Sequence, residues 1–222
     1  MCKSERTSYE TVTMRSFTIT AVLGLSVAAY AASSHRGFTK RQSTCIVDTV
    51  TDPNTDQINA SIGSWFNDVV AVNAFLNAVA DGSITDLGSA AQSALINAQD
   101  EPCQLATLSS LDLGVDAFHC AVADLESVFD DHVIANLNTI VSNPNDTTAV
   151  HAAVQDINNF RCCNVLSDAT IIWLDSAADL GLVGVVRTDA PRENACSSIT
   201  CTQACTALDN GSFGTVTVDP GT

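Results

Sequence analysis

The sequence predicts an all-α fold, a disulfide-stapled helical bundle with a short irregular cysteine-rich C-terminal segment. Two observations carry that expectation. Apolar residues recur at three- and four-residue spacing over most of the chain, which places them on one face of successive helices. Eight cysteines follow an N-terminal leader, an even number that fits four bridges formed in an oxidising compartment. The chain has 222 residues, 46% of them hydrophobic and 15% charged, enough to bury a core and too apolar for an acidic disordered segment.

The leader is read from Met14 onward. Met-Arg-Ser precedes a mostly apolar run from Phe17 to Ala32, shorter than the roughly 20 residues of a membrane span, with small residues at Ala29 and Ala31. This is the pattern of a signal peptide cleaved after Ala31 or Ala32; translation starts at Met14, or at Met1 with a long n-region. Lys40-Arg41 then reads as a dibasic processing site ending a short pro-segment. Residues 1–41 are thus expected to be leader, and 42–222 a single helical domain beginning at Gln42.

Beyond Arg41 the basic residues are Arg161, Arg187 and Arg192, set against 23 of the 25 acidic ones. A surface that negative cannot neutralise a phosphate backbone, which excludes DNA and RNA as partners. That part has neither lysine nor tyrosine, so a lysine nucleophile and a tyrosine general acid are ruled out. Its carboxylates repel one another less as they protonate, so the domain should be more comfortable in acid.

Asp52-Pro53 reads as N-cap and first helical residue, and Ile58, Ile62, Trp65, Val69, Val72, Leu76 and Val79 form the stripe of a long helix ending near Gly82. Ser83 to Asp86 resembles a capping box, followed by an alanine-rich stripe of Ala91, Ala94, Leu95 and Ala98 that permits close packing. Pro102 is expected to open a separate short helix holding Cys103, before a turn at Asp112-Leu113-Gly114. A second long helix carries Val115, Phe118, Val122, Leu125 and Phe129 and continues to Ile140, where Ser142-Asn143-Pro144-Asn145 stops it. Val150, Val154 and Ile157 mark the next helix, and another starts near Ser167. Cys162-Cys163 between them is expected to form a tight, disulfide-pinned corner. The first long stripe is expected to pack directly on Phe118-Val122-Leu125-Phe129. Thr215 to Val218 suggests a short extended end.

The stretch Asn97-Ala98-Gln99-Asp100-Glu101-Pro102 and the block from Ile157 to Leu166 resemble small secreted proteins of filamentous fungi. The long N-terminal helix and its small-residue-rich successor bear a loose resemblance to the hydrophobic-surface-binding and cell-wall galactomannoprotein family. That resemblance, covering Asp52 to about Phe160, implies a secreted, helical protein associated with walls or hydrophobic surfaces, and brings no catalytic motif.

The expected cysteine set is Cys45, Cys103, Cys120, Cys162, Cys163, Cys196, Cys201 and Cys205. Adjacent Cys162 and Cys163 should each find a different partner, because a bridge between neighbours distorts the peptide joining them. Cys201 and Cys205, on one helix face, should also pair elsewhere. Asn59, Asn145 and Asn210 head N-glycosylation sequons. The nearest approach to chemistry is Asp116 with His119, three residues apart, where a carboxylate could orient an imidazole. Asp168 and Asp175 around Trp173 offer a faint carbohydrate contact, with core as the stronger reading of both tryptophans. No metal or cofactor is implied. The function expected is that of a secreted, extracellular, non-enzymatic protein of a cell wall, hydrophobic surface or host interface. The alternatives are an extracellular carrier of a small apolar ligand, or a secreted hydrolase or metal-dependent enzyme. Expected partners are correspondingly a cell-wall polymer, a hydrophobic surface or a small apolar ligand, with no transmembrane segment.

Overall fold

A computed structural model of the chain describes residues 52–111 and 113–201. The leader, the Lys40-Arg41 site, Cys45, Asp112, Cys205, Asn210 and the stretch from Thr215 to Val218 lie outside them. All described residues fall in one compact unit. They form α1 (Thr55–Ala80), α2 (Leu87–Ser109), α3 (Asp116–Phe129), α4 (Ala135–Ser142), α5 (Thr147–Phe160) and α6 (Leu166–Asp179). The π-helical turn Asp130–Ile134 joins α3 to α4, the π-helical turn Arg161–Val165 joins α5 to α6, and a 3-10 turn spans Asn194–Ser197. Among the described residues no helix is long and apolar enough to cross a membrane.

The starts of α1, α2 and α5 follow side-chain capping, though not always at the residue the sequence suggested. α1 is capped by Asn54, not Asp52: Asn54 accepts from the Gln57 backbone N–H at 3.0 Å, and the Gln57 side chain accepts from the Asn54 N–H at 2.9 Å. This reciprocal box satisfies two end donors at once, which a lone Asp before proline cannot do. α2 is capped by Asp86, whose carboxylate accepts from the Ser89 N–H, so Ser83 lies outside the helix. Asp146 caps α5 by accepting from the N–H groups of Thr148 and Ala149.

Two predicted breaks do not occur. Pro102 lies inside α2, which runs on to Ser109 instead of restarting as a short helix. Side chains on both sides of the proline are fixed to α1: Trp65 Nε1 donates to Glu101 Oε2 at 3.0 Å, and Ser61 Oγ donates to Gln104 Oε1 at 2.9 Å. Tertiary bonds of this kind offset the ~3 kcal/mol that proline costs a helix interior. Cys162-Cys163 is likewise no corner. It sits in the π turn of a helical run continuing from α5 into α6, where no glycine or proline breaks the backbone.

The core is a single cluster, with Trp65, Trp173, Phe118, Leu125, Leu137 and Ile157 among its largest fully buried side chains. The closest helix pairs are α1 with α2, α2 with α4, α3 with α6 and α4 with α5. The stripes of α1 and α3 share this one core cluster, although the most extensive backbone approach of α3 is to α6 and that of α1 is to α2. Ala91, Ala94 and Ala98 are buried at 0–2% exposure and let its neighbours approach closely. Trp65 and Trp173 meet edge to face with ring centroids 5.6 Å apart, joining α1 to α6. Leu125 is 1% exposed, so Leu125→Ala should cost about 2–5 kcal/mol through lost transfer energy and the cavity left behind. Chemical denaturation measures it directly, and a loss under about 1 kcal/mol would contradict this packing.

Candidate functional site

The most concentrated chemistry lies inside the bundle. Arg161, 0% exposed at the start of the second π turn, donates from one terminal nitrogen to Glu101 Oε1 at 3.3 Å and from the other to Asn73 Oδ1 at 2.9 Å. Its Nε lies 3.9 Å from Glu193 Oε1, an ion-pair distance too long for a hydrogen bond. Glu101 also accepts from Trp65, so α1, α2, the π turn and the segment after α6 meet at one guanidinium. Burial pushes the carboxyls of Glu101 and Glu193 above their ordinary range, and Arg161 partly opposes that rise.

The segment from Ala190 to Cys201 is strapped over this cluster. Asn73 Nδ2 donates to the Pro191 carbonyl at 2.7 Å, and the Asn194 N–H donates to Asn77 Oδ1 at 2.8 Å, so two asparagines one turn apart on α1 grip its backbone. Arg192 donates to the Cys162 carbonyl at 2.7 Å and to Ser167 Oγ at 2.9 Å. Disulfides join Cys162 to Cys196 and Cys163 to Cys201. Cys103 and Cys120 are disulfide-bonded as well.

A second polar group lies between α3 and α6. Asn164 Nδ2 donates to Asp124 Oδ2 at 2.8 Å, beside Asp168, which is 0% exposed and has no hydrogen-bond donor to either carboxyl oxygen. Burial and the neighbouring Asp124 push Asp168 up to about 10. At neutral pH Asp168 is therefore a neutral acid whose proton can be donated to Asp124.

The sequence-derived candidates fare differently. Asp116 and His119 are both exposed, no hydrogen bond joins them, and the ring contact of His119 is with Phe118. The imidazole that does meet a carboxylate is His132, in the first π turn. Its Nδ1 lies 2.9 Å from Asp156 Oδ2, its ring stacks on Phe160 with centroids 3.2 Å apart, and Asn136 donates to the same oxygen. Among the described residues this dyad orients an imidazole without a third metal-ligating group gathered beside it. Trp173 and Asp168 are both 0% exposed, so neither can contact a carbohydrate from the surface. Cys162, Glu193 and Cys196 bring three possible ligand atoms within 4.8 Å, but the two sulfurs are bonded to each other and have no thiolate to offer a metal.

On the outside, Val183 and Val185 are 56% and 75% exposed in the loop after α6, on either side of Gly184. Gly181 and Gly184 have φ of 66° and 81°, left-handed values that turn the chain sharply and that other residues adopt only with strain. Val70 and Leu174 are also exposed. Phe66, one turn before Val70, lies under the Arg187 guanidinium at 4.0 Å and beside Trp173, so this side of α1 adjoins the valine loop and α6. Asn59 and Asn145 are exposed, Asn145 in the turn that Asp146 closes. Comparison with protein-family models, curated proteins and solved structures finds no match.

Proposed function

We propose that this chain is a secreted, non-enzymatic protein that acts at a cell wall, a hydrophobic surface or a host interface, with adsorption to an uncharged hydrophobic surface as its working contact. The observation that carries this reading is the exposed Val183-Gly184-Val185 tip, two residues before the Arg187 that covers Phe66 of α1, with Val70 of α1 and Leu174 of α6 exposed as well. The chemistry-bearing side chains argue the same way: Arg161, Glu101 and Glu193 are spent on one another inside the fold, while Asp116 and His119 stand apart in solvent. The strong negative charge disfavours anionic surfaces, leaving apolar contact as the dominant attraction. The resemblance to the hydrophobic-surface-binding and cell-wall family supports the same reading, and glycans on Asn59 and Asn145 would keep the remaining surface solvated.

Retention on alkyl-coated beads tests the proposal. Fully burying a valine is worth about 1.5 kcal/mol or more, so replacing both Val183 and Val185 with Asp should weaken adsorption by roughly a hundredfold. The melting temperature should stay unchanged, because both side chains already lie in water. His119→Ala should leave adsorption and melting as they are. Unaltered retention of the double variant would reject the valine loop as the contact. Loss of function in His119→Ala with melting intact would instead make the Asp116-His119 pair a site.

A further inference from the structure

The α1–α2 seam is polar along one line. The bonds from Ser61 to Gln104 and from Trp65 to Glu101 fix an antiparallel register, and Gln104 Nε2 donates onward to Asp100 Oδ2 at 3.0 Å. Asp68 is the next residue along that face of α1, which the register sets near Ala98, one turn of α2 before Glu101. It is 8% exposed, and its Oδ2 has no hydrogen-bond partner. The titratable groups facing it from α2 are Asp100 and Glu101. Behind Glu101 lie Arg161 from the second π turn and Glu193 from the strap. Three carboxyls thus line this seam, and among the described residues the guanidinium that reaches it, Arg161, is engaged with Glu101, Asn73 and Glu193.

We propose that Asp68 makes the α1–α2 seam a pH-operated closure, tight while its carboxyl holds a proton and loosened when it ionises beside Asp100 and Glu101. A buried carboxylate with no cation of its own is costly, and two like charges across the seam add to that cost. Burial first, then Glu101 and Asp100, push Asp68 up to about 7. The folded-state value is raised above the unfolded one, so the stabilisation is complete below the ordinary aspartate range near pH 4. It is lost as pH rises through about 7. The seam therefore responds between acid and neutral media, the range over which an extracellular environment changes.

Amide hydrogen exchange on the full chain from pH 5 to 8.5 reads this out, comparing wild type with Asp68→Asn at each pH so that the base catalysis of exchange itself cancels. In the wild type, protection in residues 55–80 and 87–109 should fall relative to the variant by about tenfold per pH unit as pH rises toward the midpoint, as release of one proton on opening requires, and should level off above it, where the carboxyl is ionised in both states. Residues 147–179 should keep theirs. Asp100→Asn removes one facing charge and should move the wild-type transition to lower pH, a result independent of whether Asp68→Asn folds. Equal pH dependence in wild type and Asp68→Asn, or a transition unmoved by Asp100→Asn, would overturn the proposal. So would loosening spread evenly over all six helices.

Discussion

Arg161→Ala should destabilise the fold by about 3–5 kcal/mol, a large fraction of the 5–15 kcal/mol that holds a typical domain together. The guanidinium is entirely buried and bonds Glu101 and Asn73 while facing Glu193, so its loss strands two carboxyls and an amide oxygen away from water. Breaking one side of a buried ion pair costs far more than replacing the whole group with apolar residues of the same volume. Arg161→Met combined with Glu101→Leu and Glu193→Leu should accordingly recover part of the loss, the remainder being the indole N–H of Trp65 and the Asn73 amide oxygen left without their partners. The penalty should also depend on pH. Glu101 and Glu193 already titrate above the ordinary range, and without the cation that opposes this shift they would take up protons more readily. Arg161→Ala should then be less damaging at pH 4 than at pH 7. Urea denaturation at both values measures this, and a cost below about 1 kcal/mol at pH 7 would mean that the cluster is not the tie between α1, α2 and the strap.

Removal of the two C-terminal disulfides should be strongly non-additive. Cys162–Cys196 closes a separation of 34 residues and Cys163–Cys201 one of 38, and the two loops overlap almost completely. With either bridge in place the other closes only the few residues between them, so replacing one pair with alanine should cost about 2 kcal/mol. Replacing both frees the long loop as well and should cost about 6 kcal/mol in the same chain-entropy terms. Thermal melting of the two double-alanine variants and the quadruple variant decides it. Equal steps for the first and second bridge would mean that strain or residual unfolded structure, rather than loop closure, sets their worth. The strap also contributes Glu193, Pro191 and Asn194 to α1 and Arg161, so its release should loosen α1 before α3.

By itself the sequence determined the helical class, the apolar stripes and the divergence of Cys162 and Cys163 to separate partners. These follow from local rules: a 3.6-residue period shows which face is buried, and adjacent cysteines bridge each other only with distortion. The buried charges were legible in part. Arg161 continues the spacing of Val150, Val154 and Ile157, and Glu101 continues that of Ala94 and Ala98, so both stand where an apolar residue belongs. That anomaly marks a buried ion but names no partner, since Arg161 and Glu101 are 60 residues apart in sequence. Asp68, between Trp65 and Val72 on the seam of α1, carried the same signal. The tertiary structure decided the rest. It kept Pro102 inside α2 and carried the helix through Cys162-Cys163, because contacts from other elements outweighed the local cost of a missing donor and a widened turn. It also paired His132 with Asp156 instead of His119 with Asp116. A spacing of three shows only that two side chains share a helix face, whereas the carboxylate that an imidazole meets depends on which helix packs alongside.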